Sequence, residues 1–389
     1  MNPVYLPIIL VIATITWYIG RVSFNKKTSP KTKNNFSKDY LVGLNYLLSE
    51  QPDKAVDIFI KLLEVDSETV ETHLALGHLF RKRGETERAI RIHQNLIARP
   101  QLTKNQRTQA TLALGQDYLS AGVLDRAERL LLDVVDTGDF QAPALSMLLD
   151  IYQQEKEWEN AIQTAEKYQQ VSNQSMQIPI AHYNCELALE AKRKFGAEQA
   201  MRFLKRAMTI HKDCVRGSLL QGEWEAEQGD YKQAIKCFRR VVEQDPAFIS
   251  EVIKPLAICY DKLGQPEEYL QFLHRCLEQT PRLSLVLALS DNIQQQQGAS
   301  VAAEFVAEQL YTRPSIFGLS RLIELQKQFS EGSAKYNLQL LFNVAQQLIM
   351  QKPVYRCDIC GYSGKVLHWQ CPSCRKWATI KPIQGLEGE

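Results

Sequence analysis

Four cysteines near the C-terminus stand in two pairs, Cys357 with Cys360 and Cys371 with Cys374, with ten residues between the pairs. A Cys-x-x-Cys turn aims two sulfurs and several backbone N–H groups at one point. Two such turns supply four thiolates in a tetrahedron, which suits a structural Zn²⁺ or an iron held by four cysteines. One ion is expected, zinc ahead of iron. Gly361 after the first pair leaves room for the N–H groups that stabilise thiolate charge, and Pro372 stiffens the second pair. A disulfide or a catalytic dithiol is the competing reading. The surrounding segment has few apolar residues and could hardly fold without a metal, whose binding is worth about 10–16 kcal/mol in small zinc peptides. Tyr355, Trp369 and Trp377 are expected to dock it onto the elements just before it.

Other chemistry is scarce. There is no GxxxxGK[ST] phosphate loop, no GxGxxG and no HExxH. His73 and His93 fall where packing residues belong, and His368 is a spacer between the cysteine pairs. Cys185, Cys214, Cys237, Cys259 and Cys276 sit singly in helical sequence and read as packing thiols. No set of residues suggests a nucleophile, a general base or a cofactor pocket, so no enzyme is expected. A net charge of +2 over 389 residues argues against a protein that wraps nucleic acid. Residues 351–389 carry six Lys/Arg against three Asp/Glu, which permits RNA contact without demanding it.

The elements that must carry this site repeat themselves. Gly77, Phe80, Gly84 and Ala89 recur as Gly115, Tyr118, Gly122 and Ala127, and again as Gly222, Gly229, Ala234 and Phe238. Looser copies run through Gly43 and Tyr46, Leu148 and Tyr152, Leu187 and Ala188, Leu256 and Tyr260, and Gly298 and Ala303. Small residues let two helices cross closely, an aromatic fills the gap between one hairpin and the next, and Gly ends the first helix. This spacing resembles the tetratricopeptide repeat, a helical hairpin of about 34 residues. The fold expected is all-α: a tetratricopeptide-repeat superhelical solenoid of about eight repeats plus a capping hairpin, followed by a small rubredoxin-like zinc ribbon built on the four cysteines. Residues 171–179 are expected to lengthen one connection and loosen the array there.

Repeat geometry places Tyr40, His78, Arg81, Gln116, Asp150, Lys192, Arg193, Arg216 and Glu223 along the groove formed by the first helices. Their mixed charge suits a protein or peptide partner better than a polyanion. Tyr40 and Leu44 stand where arrays that grip a C-terminal carboxylate carry a Lys/Asn clamp, so that mode is not expected.

At the other end, residues 4–19 carry no charge and Arg21, Lys26, Lys27, Lys31, Lys33 and Lys38 follow. The apolar run, extended by its neighbours, reaches the ~20 residues a bilayer core needs. Basic residues on its C-terminal side place the N-terminus outside and the rest in the cytoplasm. A cleaved signal peptide needs a positive leading segment and a small-residue cleavage site, and neither is present. The organisation expected is an anchor over 1–22, a basic linker over 23–35, the repeat array over 36–350 and the metal-binding domain over 351–389.

The CxxCGY and CPxC elements resemble rubredoxin and rubredoxin-like zinc ribbons. Arg375 stands where rubredoxins usually have Gly, and the spacer is shorter than in electron-transfer members, both of which favour a structural role. Taken whole, the chain resembles the lipopolysaccharide assembly protein B family of Gram-negative bacteria. That resemblance implies a single-pass inner-membrane protein facing the cytoplasm, its N-terminus in the periplasm, with Cys357, Cys360, Cys371 and Cys374 as metal ligands. It also implies an adaptor that regulates lipid A synthesis by working with the membrane AAA protease FtsH to degrade the committed-step deacetylase. A platform that gathers other lipopolysaccharide assembly proteins without directing proteolysis is the alternative, and an RNA-binding ribbon a more distant one. Oligomeric state is left open, a homodimer included.

Overall fold

A computed structural model of the chain describes residues 70–386 and 388, with isolated positions between 42 and 58. The expected anchor, the basic linker and Tyr40 lie outside the described residues. Among the described residues, no helix is long and apolar enough to cross a membrane. The chain divides into two compact units, Met1–Val123 and Leu124–Glu389.

In the first unit, α1 (Val70–Lys82) and α2 (Thr86–Ile97) form a hairpin that packs against α3 (Lys104–Ser120). Gly84 turns the chain between α1 and α2 with φ +79°, a conformation that costs any other residue a steric penalty. Gly77 lies so close to the His93 ring that no Cβ could be accommodated there. Gly222, on the first helix of a later hairpin, is held as closely by the Phe238 ring. Thr103 opens α3 with a capping box, its hydroxyl accepting from the Gln106 backbone N–H while the Gln106 side chain reaches back.

The second unit begins with α4 (Leu124–Thr137). It continues as the hairpins α5 (Gln141–Glu155) with α6 (Trp158–Ser172), α7 (Gln177–Phe195) with α8 (Ala197–Ile210), and α9 (Val215–Glu227) with α10 (Tyr231–Gln244). A 3-10 turn over Pro246–Phe248 leads into α11 (Ile249–Lys262) and α12 (Pro266–Gln279). The pairs α13 (Leu283–Gln297) with α14 (Ala299–Thr312) and α15 (Ile316–Phe329) with α16 (Gly332–Gln351) complete the helices. Each helix packs mainly on its sequence neighbours, as in repeat proteins. Ala127, Ala161, Ala200 and Ala234, the small residues of the second helices, are wholly inaccessible at 0% exposure, so helix backbones meet there. Tyr152, Phe238 and Tyr260 are buried as the fillers between hairpins.

The expected loosening near residue 175 is not found. α6 runs to Ser172, Asn173 caps it in the left-handed conformation, and α7 starts at Gln177. The Met176 backbone N–H donates to Gln169 Oε1 across this short link. Pro179 falls in the first turn of α7, where its missing N–H costs no helical hydrogen bond.

After α16 comes a small antiparallel sheet in the order β2 (Ser363–Gly364), β1 (Tyr355–Cys357), β3 (Ile380–Pro382). Tyr355 pairs with Gly364 on one side and Pro382 on the other.

Candidate metal centre and the groove it occupies

The first cysteine pair lies in the turn between β1 and β2. Gly361 N–H donates to the Cys357 carbonyl at 3.0 Å and Cys357 N–H to the Tyr362 carbonyl at 2.7 Å, closing the knuckle. The second pair repeats the pattern: Arg375 N–H donates to the Cys371 carbonyl at 2.8 Å, and Cys371 N–H to the Lys376 carbonyl at 2.9 Å. Gly361 and Arg375 occupy equivalent places and both have positive φ, +76° and +56°. The arginine therefore takes the geometry the glycine takes, at a cost of about 1–2 kcal/mol. The departure from the rubredoxin pattern leaves the knuckle intact.

The four sulfurs lie within 4.8 Å of one another. Cys357 Sγ is 3.8 Å from Cys374 Sγ, and Cys360 Sγ is 3.6 Å from Cys371 Sγ. A tetrahedron of sulfurs around an ion with ~2.3 Å bonds has edges of about 3.8 Å. A disulfide needs about 2.05 Å. The donor set thus fits one metal ion in a four-cysteine site, and His368 contributes nothing to it: its ring stands edge-on to Tyr362. Burial acts against the Cys357 thiolate, but the Thr379 hydroxyl and the N–H groups of Cys360 and Ile359 outweigh it and bring that thiol down to about 6. Burial pushes the Cys371 thiol up to about 11 against the N–H groups of Cys374 and Ser373. The hydroxyl and N–H donors that favour thiolate at Cys357 are what a metal ligand requires.

The ribbon does not sit on the last repeats. It lies against the first helices of the middle hairpins. The Trp377 ring stacks on His182 of α7 with centroids 5.1 Å apart and meets Tyr183 and Trp158 edge-on at 5.7 and 6.3 Å. Its Nε1 donates to Gln153 Oε1 of α5 at 2.9 Å, an acceptor shared with Gln370 Nε2. Trp369 stacks on Phe248 at 5.6 Å, and the Arg216 guanidinium lies 6.0 Å from its centroid. Tyr355 donates to Glu251 of α11 at 2.8 Å, and Lys381 pairs with Asp245 at 2.8 Å. The last hairpin is touched at its edges: the Leu386 carbonyl accepts from Ile316 N–H at 3.2 Å, and Lys365 Nζ donates to the Met350 carbonyl at 2.6 Å. The correction has a physical reason. Trp158, Tyr183 and Phe248 form an aromatic surface on the middle hairpins, whereas α16 buries a single residue, Ala345, and offers no aromatic recess.

This docking rearranges the expected groove residues. Arg216 is buried and paired with Glu186 at 2.8 Å beneath the ribbon, so it is closed to any partner. Asp150 is half-buried; burial raises its carboxyl, opposed by the charges of the ribbon's Arg375 and Lys376. Lys192 pairs with Glu227 and lies over the Trp224 ring at 4.7 Å. Arg193 and Glu223 are exposed. In the first unit, His78, Arg81 and Gln116 come together: Arg81 donates to Gln116 Oε1 at 2.7 Å and lies 2.8 Å from His78 Nδ1. Sequence reasoning missed the centre of that network. It is Asp117, fully buried, which accepts from Arg81 and His93 at once. An acid flanked by the small Gly115 and the aromatic Tyr118 of the repeat pattern was the available signal. His73 and His93 are buried as expected, His73 Nε2 lying 2.8 Å from Arg99 Nη2. Cys185 and Cys214 are not solitary: their sulfurs stand 3.9 Å apart in the core.

Comparison with known proteins agrees with these elements. The model of the rubredoxin metal binding domain matches residues 355–382, and tetratricopeptide repeat models match 72–105 and 218–247. Lipopolysaccharide assembly protein B of Escherichia coli (strain K12) is 40% identical over 379 residues, 97% of each chain. The protein of the same name from Haemophilus influenzae is 38% identical over 387 residues, again 97% of each.

Proposed function

Because the chain belongs to the lipopolysaccharide assembly protein B family, we propose that it serves lipopolysaccharide assembly as a membrane-anchored adaptor that works by binding other proteins. The observation that carries this reading is kinship along 97% of both chains. Exposed Arg193 and Glu223 on the hairpins of the second unit support the protein-binding part, since they present opposite charges to solvent.

The N-terminal segment holds the chain at the cytoplasmic face of the inner membrane. There the hairpins present the committed-step deacetylase of lipid A synthesis to FtsH. Confinement to one plane raises the effective concentration of enzyme and protease toward the millimolar range without any new contact between them. The metal is zinc. When bound, it supplies the cross-link that lets so short a segment fold. The residues of this chain do the rest: the four cysteines fix the knuckles, and Trp369 with Trp377 seat the ribbon, leaving Arg193 and Glu223 outside it.

The test is the half-life of the deacetylase in cells whose only copy of this chain lacks residues 1–20. A lengthened half-life, equal to that of cells without the chain, is expected. Normal turnover with the shortened chain overturns the anchoring claim. Turnover that ignores complete depletion of the chain overturns delivery to the protease in favour of a platform.

A further inference from the structure

Two clefts adjoin where the ribbon's final residues cross the start of α13 and the end of α14. The first, of about 620 Å³, is mainly apolar, lined by Pro281, Leu283, Val286, Leu310, Pro314 and Leu386 among others. That is the size of a small-ligand site. The second, of about 460 Å³, is polar, with Arg282, Arg356 and Lys381 facing Asp245 and Asp358. Arg282 and Gln384 line both, so an apolar chamber opens beside a charged one.

The charges do not cancel. Lys381 is already matched by Asp245 at 2.8 Å, which leaves two arginines against Asp358. Neither the Arg282 nor the Arg356 guanidinium makes an ion pair or hydrogen bond among the described residues. Arg282 immediately precedes α13, a helix that starts without a side-chain cap, so the positive end of its dipole adds to the cations. In the lining of the apolar cleft, the Ser315 hydroxyl is buried without a partner, and the residue is only 8% exposed. Unpaired cations beside an apolar chamber describe a ligand with one greasy and one anionic end.

The geometry points to a binding site for a single-chain anionic amphiphile, its acyl chain in the apolar cleft and its phosphate head between Arg282 and Arg356. Hairpin residues and ribbon residues both build the site, so the ligand recognises the docked ribbon and stabilises it by mass action. Such binding stands whether or not the chain delivers an enzyme to a protease.

The experiment is native mass spectrometry of the full-length, metal-loaded chain released from maltoside micelles, with myristoyl lysophosphatidic acid as probe. One probe per chain is expected. Arg282→Glu and Gln309→Trp should each weaken binding at least tenfold, the first by reversing the head-binding charge and the second by filling the cleft. Neither should disturb the fold: an acid before a helix start is favourable, and Gln309 is only half-buried. Myristyl alcohol and inorganic phosphate should each bind at least tenfold more weakly than the probe. Absence of a one-to-one adduct, indifference to either variant, or equal binding of the alcohol or of phosphate overturns the assignment.

Discussion

The Trp377 indole lies flat against the His182 imidazole, 5.1 Å between centroids and 27° between planes, and this pair joins the metal ribbon to the helical hairpins. The imidazole is 2% exposed and its Nδ1 has no hydrogen-bond partner, so only an uncharged ring is tolerated beneath the indole.

Trp377→Ala removes three ring contacts and one hydrogen bond together. Loss of a buried tryptophan costs about 3–5 kcal/mol, and here the loss falls on docking. Amide hydrogen exchange should accelerate in α5 and α7 while the metal stays bound. Trp377→Phe, which gives up the bond to Gln153, should cost about 1 kcal/mol. Unchanged exchange in Trp377→Ala would show that the ribbon is held elsewhere.

Docking should weaken in mild acid. Burial first, then the charges of Arg216 and His211, depress the His182 pKa from 6.5 to about 3. The undocked or unfolded state therefore takes up a proton that the docked state refuses. Stability from this group is complete above about pH 6.5 and falls as the pH drops toward 3, by about 1.4 kcal/mol per unit. Melting temperatures of the wild type and His182→Gln, compared between pH 7.5 and 5.5, isolate this dependence. Parallel curves for the two proteins would refute it.

Metal removal should release the ribbon. Cys357→Ser with Cys360→Ser leaves two thiols, too few to close the site, and metal content should fall to zero. Trp369 and Trp377 then lose their fixed surroundings, and tryptophan emission should shift to the red. The hairpins keep their helical circular dichroism, because their cores lie between neighbouring helices. A blue emission maximum in a metal-free double variant would contradict this.

Arg375→Gly is expected to stabilise the ribbon by about 1 kcal/mol, since glycine takes positive φ without the penalty of a side chain. Gly222→Ala should do the opposite for the hairpins. A Cβ there stands 2.6 Å from the Phe238 ring, and forcing the helices apart costs about 1–3 kcal/mol. Thermal melts of both variants measure these signs.

The hairpins were legible because each needs the same small and aromatic residues at the same places, and eight near-copies make a period visible. The cysteine pairs were legible because spacing alone determines which sulfurs a turn can bring together. The seat of the ribbon was not. Trp377 and His182 lie in different periodic frames, and nothing in a repeat says which stretch of its inner surface will be covered by something outside the repeat. For the same reason Arg216 read as open groove, although it is shut beneath Trp369. Asp117 escaped notice because an acid next to Gln116 resembles an ordinary surface position until Arg81 and His93 are placed beside it.

Gln153 and Trp377 share a hydrogen bond across 224 residues of sequence. Piled hairpins that touch only the next in line come apart from their ends inward, one after another. A strut pinned at α5, α11 and the start of α15 denies them that freedom, because no hairpin between those pins can let go while the strut holds. The second unit should therefore melt in one sharp step with the metal bound and in a drawn-out series without it.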